Sequence, residues 1–180
     1  FTDSLLVGHG TTGTLSAAQK NTGVGIDAMD AITQGDHNTV VGYNAGTLIT
    51  TGLKNAGVGS GALSSISTHS HNTAIGCDSQ QYGTGANNSS VGFQGLHNVQ
   101  GTGNIGIGYQ SGNNITSGSG NVVIGVADVS SATADDQLSI SDGEDGAVVW
   151  ITGESTGNVE ISEVWNPSLS TTGKAFVMGF

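Results

Sequence analysis

Two clusters of side chains in this sequence have types and spacing that could bind a metal ion. His69 and His71 are one residue apart, which places both imidazoles on one face of a strand, where they could bind a transition metal. Asp142, Glu144 and Asp145 lie in a glycine-flanked segment and could hold Ca²⁺ through carboxylate oxygens. The alternative in each case is an exposed turn. We favour that alternative in both cases. The spacing of the acids does not match an EF-hand loop, and His71 directly precedes a repeated asparagine, at a position whose composition in the other repeats is typical of a solvated turn.

Catalytic patterns are missing from the sequence. We find no nucleophile elbow, and the run GTGNIGIG at 101–108 has the glycines of a phosphate loop but follows the frame of a repeat described below. We therefore expect a protein that is not an enzyme and needs no cofactor. The candidate functions are those of a structural or a binding protein.

Composition restricts the partners. Three Lys against fourteen Asp and Glu give a formal net charge of -11, which repels phosphate backbones, so nucleic acid is not an expected partner. No apolar run of about 18 residues is present, so membrane insertion is not expected either. Charged residues make up only 9 % of the chain and glycine contributes 31 of 180 residues. The surface must therefore be covered mainly by neutral polar groups.

A repeat of 16 or 17 residues orders this composition. Asparagine recurs at this interval, and we number each repeat from it as position 0, with Ser4 in the first repeat: Asn21, Asn38, Asn55, Asn72, Asn88, Asn104 and Asn121. Position 3 is aliphatic in eight of eight repeats: Val7, Val24, Val41, Val58, Ile75, Val91, Ile107 and Ile124. Position 4 is glycine in all eight: Gly8, Gly25, Gly42, Gly59, Gly76, Gly92, Gly108 and Gly125. Such columns cannot arise from composition alone.

A second aliphatic column follows at position 11. Its members are Leu15, Ile32, Ile49, Ile66, Val99 and Ile115, with Tyr82 one place early in a shortened repeat and Ala132 at the end. One repeat holds a strand of about five residues, which is too short to be stable alone, so the repeats must stack. The sequence predicts an all-β fold: a parallel β-solenoid, or β-roll, of about eight coils over residues 4–137. The asparagines would form an amide ladder along it.

The glycine column permits two explanations: a turn with positive φ, or a close approach of another backbone, which we favour. Position 5 is mostly large and apolar, and we expect the small residues of position 7 to lie on the same side. Its members are Ile26, Tyr43, Cys77, Phe93, Tyr109 and Val126. The aromatic ones could stack on sugar rings, but a shared column favours packing. One thin coil cannot bury this face as well as the inner ladder, so further copies of the chain must cover it.

After Gln137 the pattern changes to a β-meander and C-terminal tip, residues 138–180. We predict strands at 138–141, 147–152 and 158–162, separated by turns. Trp150 lies in an apolar strand and is expected in the core. Trp165 and Asn166, beside the single proline, are the candidate receptor-binding residues.

These motifs resemble a known family. The N-x-x-[VI]-G repeats over about residues 4–137 are similar to the head repeats of YadA-type trimeric adhesins and, more closely, to glycine-rich repeats in trimeric bacteriophage tail fibres, whose C-termini the ending STTGKAFVMGF also resembles. The resemblance implies a homotrimer on the virion surface that joins other fibre proteins and binds a bacterial surface glycan or outer-membrane receptor. A shaft of a fibre or capsid decoration without receptor binding, and the head of a bacterial trimeric autotransporter adhesin, are the alternatives.

Overall fold

The computed structural model describes residues 4–8 and 17–161, a part of the chain that consists of strands and turns and contains no helix long and apolar enough to cross a membrane. Eleven strands form one sheet in chain order. They are β1 (Leu5–Val7), β2 (Thr22–Val24), β3 (Thr39–Val41), β4 (Ala56–Val58), β5 (Thr73–Ile75), β6 (Ser89–Val91), β7 (Ile105–Ile107), β8 (Val122–Ile124), β9 (Leu138–Ser141), β10 (Val149–Gly153) and β11 (Val159–Ile161).

Strands β1 to β9 pair in parallel, one strand to each coil. The register follows the repeat, so that Val24 pairs with Val41 and Val41 with Val58. This confirms the predicted all-β solenoid of about eight stacked coils. The strands of β1 to β8 have three residues rather than the expected five, because the chain turns at the glycine of position 4.

The sheet continues across residue 137, where the repeat pattern ends in the sequence. Strand β9 pairs in parallel with β8, and Ile124 lies opposite Ile140. Gln137 takes the asparagine position: its backbone N–H donates to Oδ1 of Asn121 at 2.8 Å, and its side-chain Nε2 donates to the same oxygen at 3.1 Å. A glutamine amide can therefore end a ladder of asparagine amides.

The asparagines form the ladder that their spacing predicts. Each backbone N–H from Asn38 to Asn121 donates to Oδ1 of the preceding asparagine at 2.9–3.0 Å. The side-chain Nδ2 also bonds across the coil, as from Asn38 to the carbonyl of Gly52 at 2.9 Å. All seven side chains are buried. The ladder thus satisfies polar groups in the interior and holds each coil in register with the next.

Both explanations of the glycine column are correct. Gly76 has a φ of +138°, a region that L side chains rarely adopt, and a Cβ there would collide with the carbonyl of Gly92, whose carbon lies 2.5 Å from the Cβ position. The same contact recurs along the stack, for example from Gly92 to Gly108. The approaching backbone belongs to the next coil of the same chain.

The core lies inside the coils, at positions 2, 7, 8 and 11. The position 11 residues Ile32, Ile49 and Ile66 are fully buried, as predicted. Large and small residues alternate between positions 2 and 8: a Cβ added at Gly57 would lie 3.1 Å from Leu63, whereas Val40 lies against Gly46. In these two coils the interior holds one large side chain of each such pair, whereas in the eighth coil Val123 and Val129 are both buried.

Two expectations about side-chain placement are wrong. The small residues of position 7, such as Ala45 and Ala62, are buried inside the coil and do not share a side with position 5. The strand has ended before position 5, and the residue between the two positions, such as Asn44, has a positive φ. Tyr82 does not join the inner column. It is exposed and sets its ring edge against His97, while the adjacent Gly83 is buried near Val99.

The predicted meander is present as β9, β10 and β11, which pair antiparallel. The residues of β10 alternate between half-buried and exposed. Trp150 falls on the exposed side, with 44 % of its surface accessible, so its predicted place in the core is wrong. The face of the meander that carries Trp150 is not covered by any described part of this chain.

Candidate functional site

The outer face of the solenoid sheet is the main candidate for a functional surface. Residues at position 2 of each strand point into the coil, so those at positions 1 and 3 point outward. The position 3 aliphatics form a continuous ladder on this outer side, with 37–49 % of each residue accessible. We call positions 1 and 3 of β1 to β8 the sheet face.

The sheet face extends over eight strands and carries no charged residue. Its position 1 residues are Leu5, Thr22, Thr39, Ala56, Thr73, Ser89, Ile105 and Val122. Most of these residues are small or β-branched, and they lie beside the aliphatic residues of position 3. Side chains of similar size therefore cover the eight successive strands. A contiguous apolar stripe of this length on a folded chain is typical of a surface that another protein covers.

Position 5 forms a second column beside the sheet face, beyond the glycine turn. Phe93 and Tyr109 stack with ring centroids 5.4 Å apart and planes 14° from parallel. They and Tyr43 are exposed at their outer surfaces. Packing between rings of this column is therefore limited to this pair in the described chain, and no described residue covers the three aromatic side chains.

Cys77 belongs to the same column and is a weak nucleophile. Desolvation by its surroundings raises the pKa of the thiol, and the carboxylate of Asp78 raises it further. Because the thiolate is the reactive form, a raised pKa lowers reactivity at neutral pH. The raised pKa therefore argues against a nucleophilic role for this exposed side chain.

The histidine pair lies on an exposed turn. His71 has a φ of +63°, like Lys54 and Asn87 at the same repeat position, and its backbone N–H donates to the carbonyl of Leu53 at 3.0 Å. The carbonyl of His69 accepts a bond from Asn55 Nδ2 at 3.0 Å. No group of three or more metal-ligating side chains occurs among residues 4–8 and 17–161. Both histidines act here through backbone groups.

The acidic segment is a hairpin turn organised by one carboxylate. Oδ1 of Asp142 accepts the backbone N–H groups of Glu144, Asp145 and Gly146 at 3.2, 3.2 and 2.8 Å, and its Oδ2 accepts that of Val148 at 3.0 Å. The bond from Gly146 is the largest cause of the lowered pKa of Asp142, followed by that from Val148. This carboxylate holds the turn between β9 and β10.

The predicted receptor-binding residues, Trp165 and Asn166, lie outside the described residues. Sequence reasoning also missed a feature inside the described ones, a polar stretch in the core. Gln80 and Ser90 are buried between two apolar clusters, and the Gln80 amide donates to the Ser90 hydroxyl at 3.0 Å. Position 8 is Leu or Met in three other coils, so a glutamine there was the available signal.

Comparison with known proteins gave no further guide to function, since no family model, curated protein or solved structure matches this chain.

Proposed function

We propose that the protein is a structural and adhesive component of a bacteriophage tail fibre, and that it works as a homotrimer on the virion surface. The observation that carries the proposal is the exposed sheet face. Position 3 is aliphatic in every coil although it points away from the core of its own chain. A fold selected as a monomer would gain nothing from eight outward aliphatic residues in a row.

Three parallel copies would bury these faces against one another about a common axis. Burial of apolar surface contributes roughly 25 cal/mol per Å², and each rung adds the same contact, so stability grows with the length of the stack. The asparagine ladder stiffens each chain by linking every coil to the next. The result is a rigid rod that joins other fibre proteins of the virion.

Such a rod supports binding by presenting three linked copies of each surface site. Linked sites that are individually weak gain apparent affinity because the second and third contacts form within the complex. We place receptor binding in residues 138–180, around Trp165 and Asn166, with a bacterial surface glycan or outer-membrane component as the target. The support is compositional: Trp165 and Asn166 directly precede Pro167, the single proline of the chain.

A shaft without a receptor of its own is the second candidate. It is favoured by the uniformity of the coils, since the same columns recur along the sheet face and offer few groups that differ from their neighbours. Recognition requires distinct groups that converge on one place.

The test is attachment of the labelled full chain to a panel of bacterial strains. We expect binding to at least one strain, and we expect Trp165→Ala to weaken attachment at least tenfold while the trimer remains intact. Trp150→Ala is the matched control, which removes an exposed indole from the described part of the meander. Attachment to no strain would favour the shaft. Attachment that survives both Trp165→Ala and deletion of residues 142–180 would place the receptor site in the repeats.

A further inference from the structure

One coil departs from the repeat on the side chains that follow the glycine turn. Positions 5, 6 and 9 carry large or polar side chains in neighbouring coils: Tyr43, Asn44 and Thr47 in the third, and Cys77, Asp78 and Gln81 in the fifth. In the fourth coil the same positions are Ser60, Gly61 and Ser64. Because stacked coils bring equivalent positions together, three small residues leave a recess between their larger neighbours. We call this recess the coil-four notch.

The notch has the size of a small-ligand site. Its volume is about 390 Å³, within the roughly 300–1,000 Å³ that such sites span. Its lining comes from positions 5, 6, 9 and 10 of three successive coils, and it shares no residue with the sheet face. Copies of the chain that pack on the sheet face, and not on the neighbouring position 5 column, would therefore leave the notch open.

The floor is shaped by Gly61, at a repeat position where other coils carry Asn44 or Asp78 with a similar positive φ. Gly61 has a φ of +69°, and a Cβ there would collide with the carboxylate of Asp78 and lie 3.2 Å from Nε2 of Gln81. Both side chains therefore extend from the fifth coil over the floor of the fourth. The lack of a side chain at this position is what lets a carboxylate and an amide face the recess.

Hydrogen bonds hold the polar wall in place. Oε1 of Gln81 lies 3.0 Å from Nε2 of His97, so its amide nitrogen is left turned toward the notch. The hydroxyl of Ser64 donates to the backbone carbonyl of Gln81 at 3.1 Å. On the opposite wall, Tyr43 has 55 % of its surface exposed and Leu48 is also exposed. The notch thus has one apolar, aromatic side and one side of donors and acceptors.

We propose that the coil-four notch binds a neutral saccharide. A sugar ring has an apolar C–H face that suits the ring of Tyr43, and hydroxyl edges that suit a carboxylate, an amide and serine hydroxyls, which both donate and accept. Within the described part of the chain, the notch lining includes no cationic side chain. With Asp78 in the wall and a net charge of -11, anionic sugars are repelled. This inference deepens the proposed adhesive function and rests on it for its biological role.

The test uses the full chain and saturation-transfer difference NMR with maltose, cellobiose, lactose and mannobiose, and with N-acetylneuraminic acid as the anionic comparison. Ser60→Tyr fills the notch with a residue that two other coils carry in this column, whereas Ser60→Ala leaves it open and is the matched control. Tyr43→Ala removes the aromatic wall from an exposed position and provides a second variant whose folding is not in question.

We expect signal from at least one neutral disaccharide for the native chain and Ser60→Ala, and at least a tenfold loss for Ser60→Tyr and Tyr43→Ala. The proposal is overturned if no neutral probe binds, if both blocking variants bind like the native chain, or if the anionic sugar binds best. Cell attachment separates the two proposals. Attachment to cells without saccharide binding would support the adhesive function and refute the notch as a saccharide site. Saccharide binding without attachment to cells would support the saccharide site and refute the adhesive function.

Discussion

Asn104→Ala is the substitution that tests the asparagine ladder most sharply. The Asn104 side chain takes part in four hydrogen bonds: its Nδ2 donates to Asn88 Oδ1 at 3.2 Å and to the Gly118 carbonyl at 2.9 Å, and its Oδ1 accepts the backbone N–H and the Nδ2 of Asn121 at 2.9 and 3.0 Å. Alanine removes all four. The backbone N–H of Asn104 keeps its bond to Asn88, so the change is confined to the side chain.

The magnitude follows from the number of bonds and their burial. At about 0.5–1.5 kcal/mol net for each, loss of the four bonds destabilises the stack by about 2–6 kcal/mol. The backbone N–H of Asn121 loses its acceptor in a buried site, which places the result toward the upper part of that range. Because each coil contacts only its neighbours, the loss should be concentrated between the seventh and eighth coils.

Native-state hydrogen exchange measures this loss directly, through the amide of Asn121. We expect that amide to exchange roughly thirtyfold faster or more in Asn104→Ala, the factor that corresponds to a loss of about 2 kcal/mol. Asn98→Ala, at an exposed position of the preceding coil, is the control and should leave the rate unchanged. Equal rates in the two variants would refute the stabilising role that we assign to the ladder.

Three further predictions concern the turn glycines and the titrating groups. Gly76→Val should destabilise the chain by about 3 kcal/mol or more in urea unfolding, because it adds a collision to a forbidden φ, whereas Gly143→Val, with open space around it, should have little effect. Because folding lowers the pKa of Asp142, the ionised carboxylate stabilises the hairpin above the ordinary aspartate pKa, and this stabilisation is lost as the pH falls through the lowered pKa. The NMR shifts of the hairpin amides in an acid titration should show this loss, and Asp142→Ala should abolish the transition. Cys77 should react with iodoacetamide more slowly at neutral pH than a free cysteine peptide, and rates that match the peptide would contradict its raised pKa.

Most of the fold could be predicted from the repeat columns in the sequence. Fixed spacing is enough to predict a stacked coil, the ladder of Asn38 and its equivalents, and the buried column that includes Ile49, because a period constrains every repeat at once. Spacing does not reveal which side of a short strand faces inward. Here two identical neighbours differ in placement: Val41 points outward, whereas Val40 points inward and lies against Gly46.

The candidate sites were harder to predict for a related reason. The coil-four notch arises from what is missing at Ser60, Gly61 and Ser64, and small polar residues in a chain rich in them carry no signal until the stacked neighbours are known. Trp150 was predicted in the core because its strand is apolar, but it is exposed. An apolar strand does not identify a buried face when no second layer of the same chain covers it.

The position 3 residues lie on the sheet face, which the described part of a single chain leaves uncovered. A substitution at this position tests whether other copies of the chain cover that face. Val58→Asp places a charge on the outer side of β4 without entering the coil interior, whereas Leu53→Asp places one at an exposed apolar residue outside the sheet face. The second variant is therefore the matched control for the first.

Molar mass by size-exclusion chromatography with multi-angle light scattering is the most direct test of the central claim, that the sheet face joins three chains. We predict three times the mass of one chain for the native protein and for Leu53→Asp, and loss of that species for Val58→Asp. A native protein with the mass of a single chain at all concentrations, or a Val58→Asp variant that remains fully trimeric, would contradict the claim.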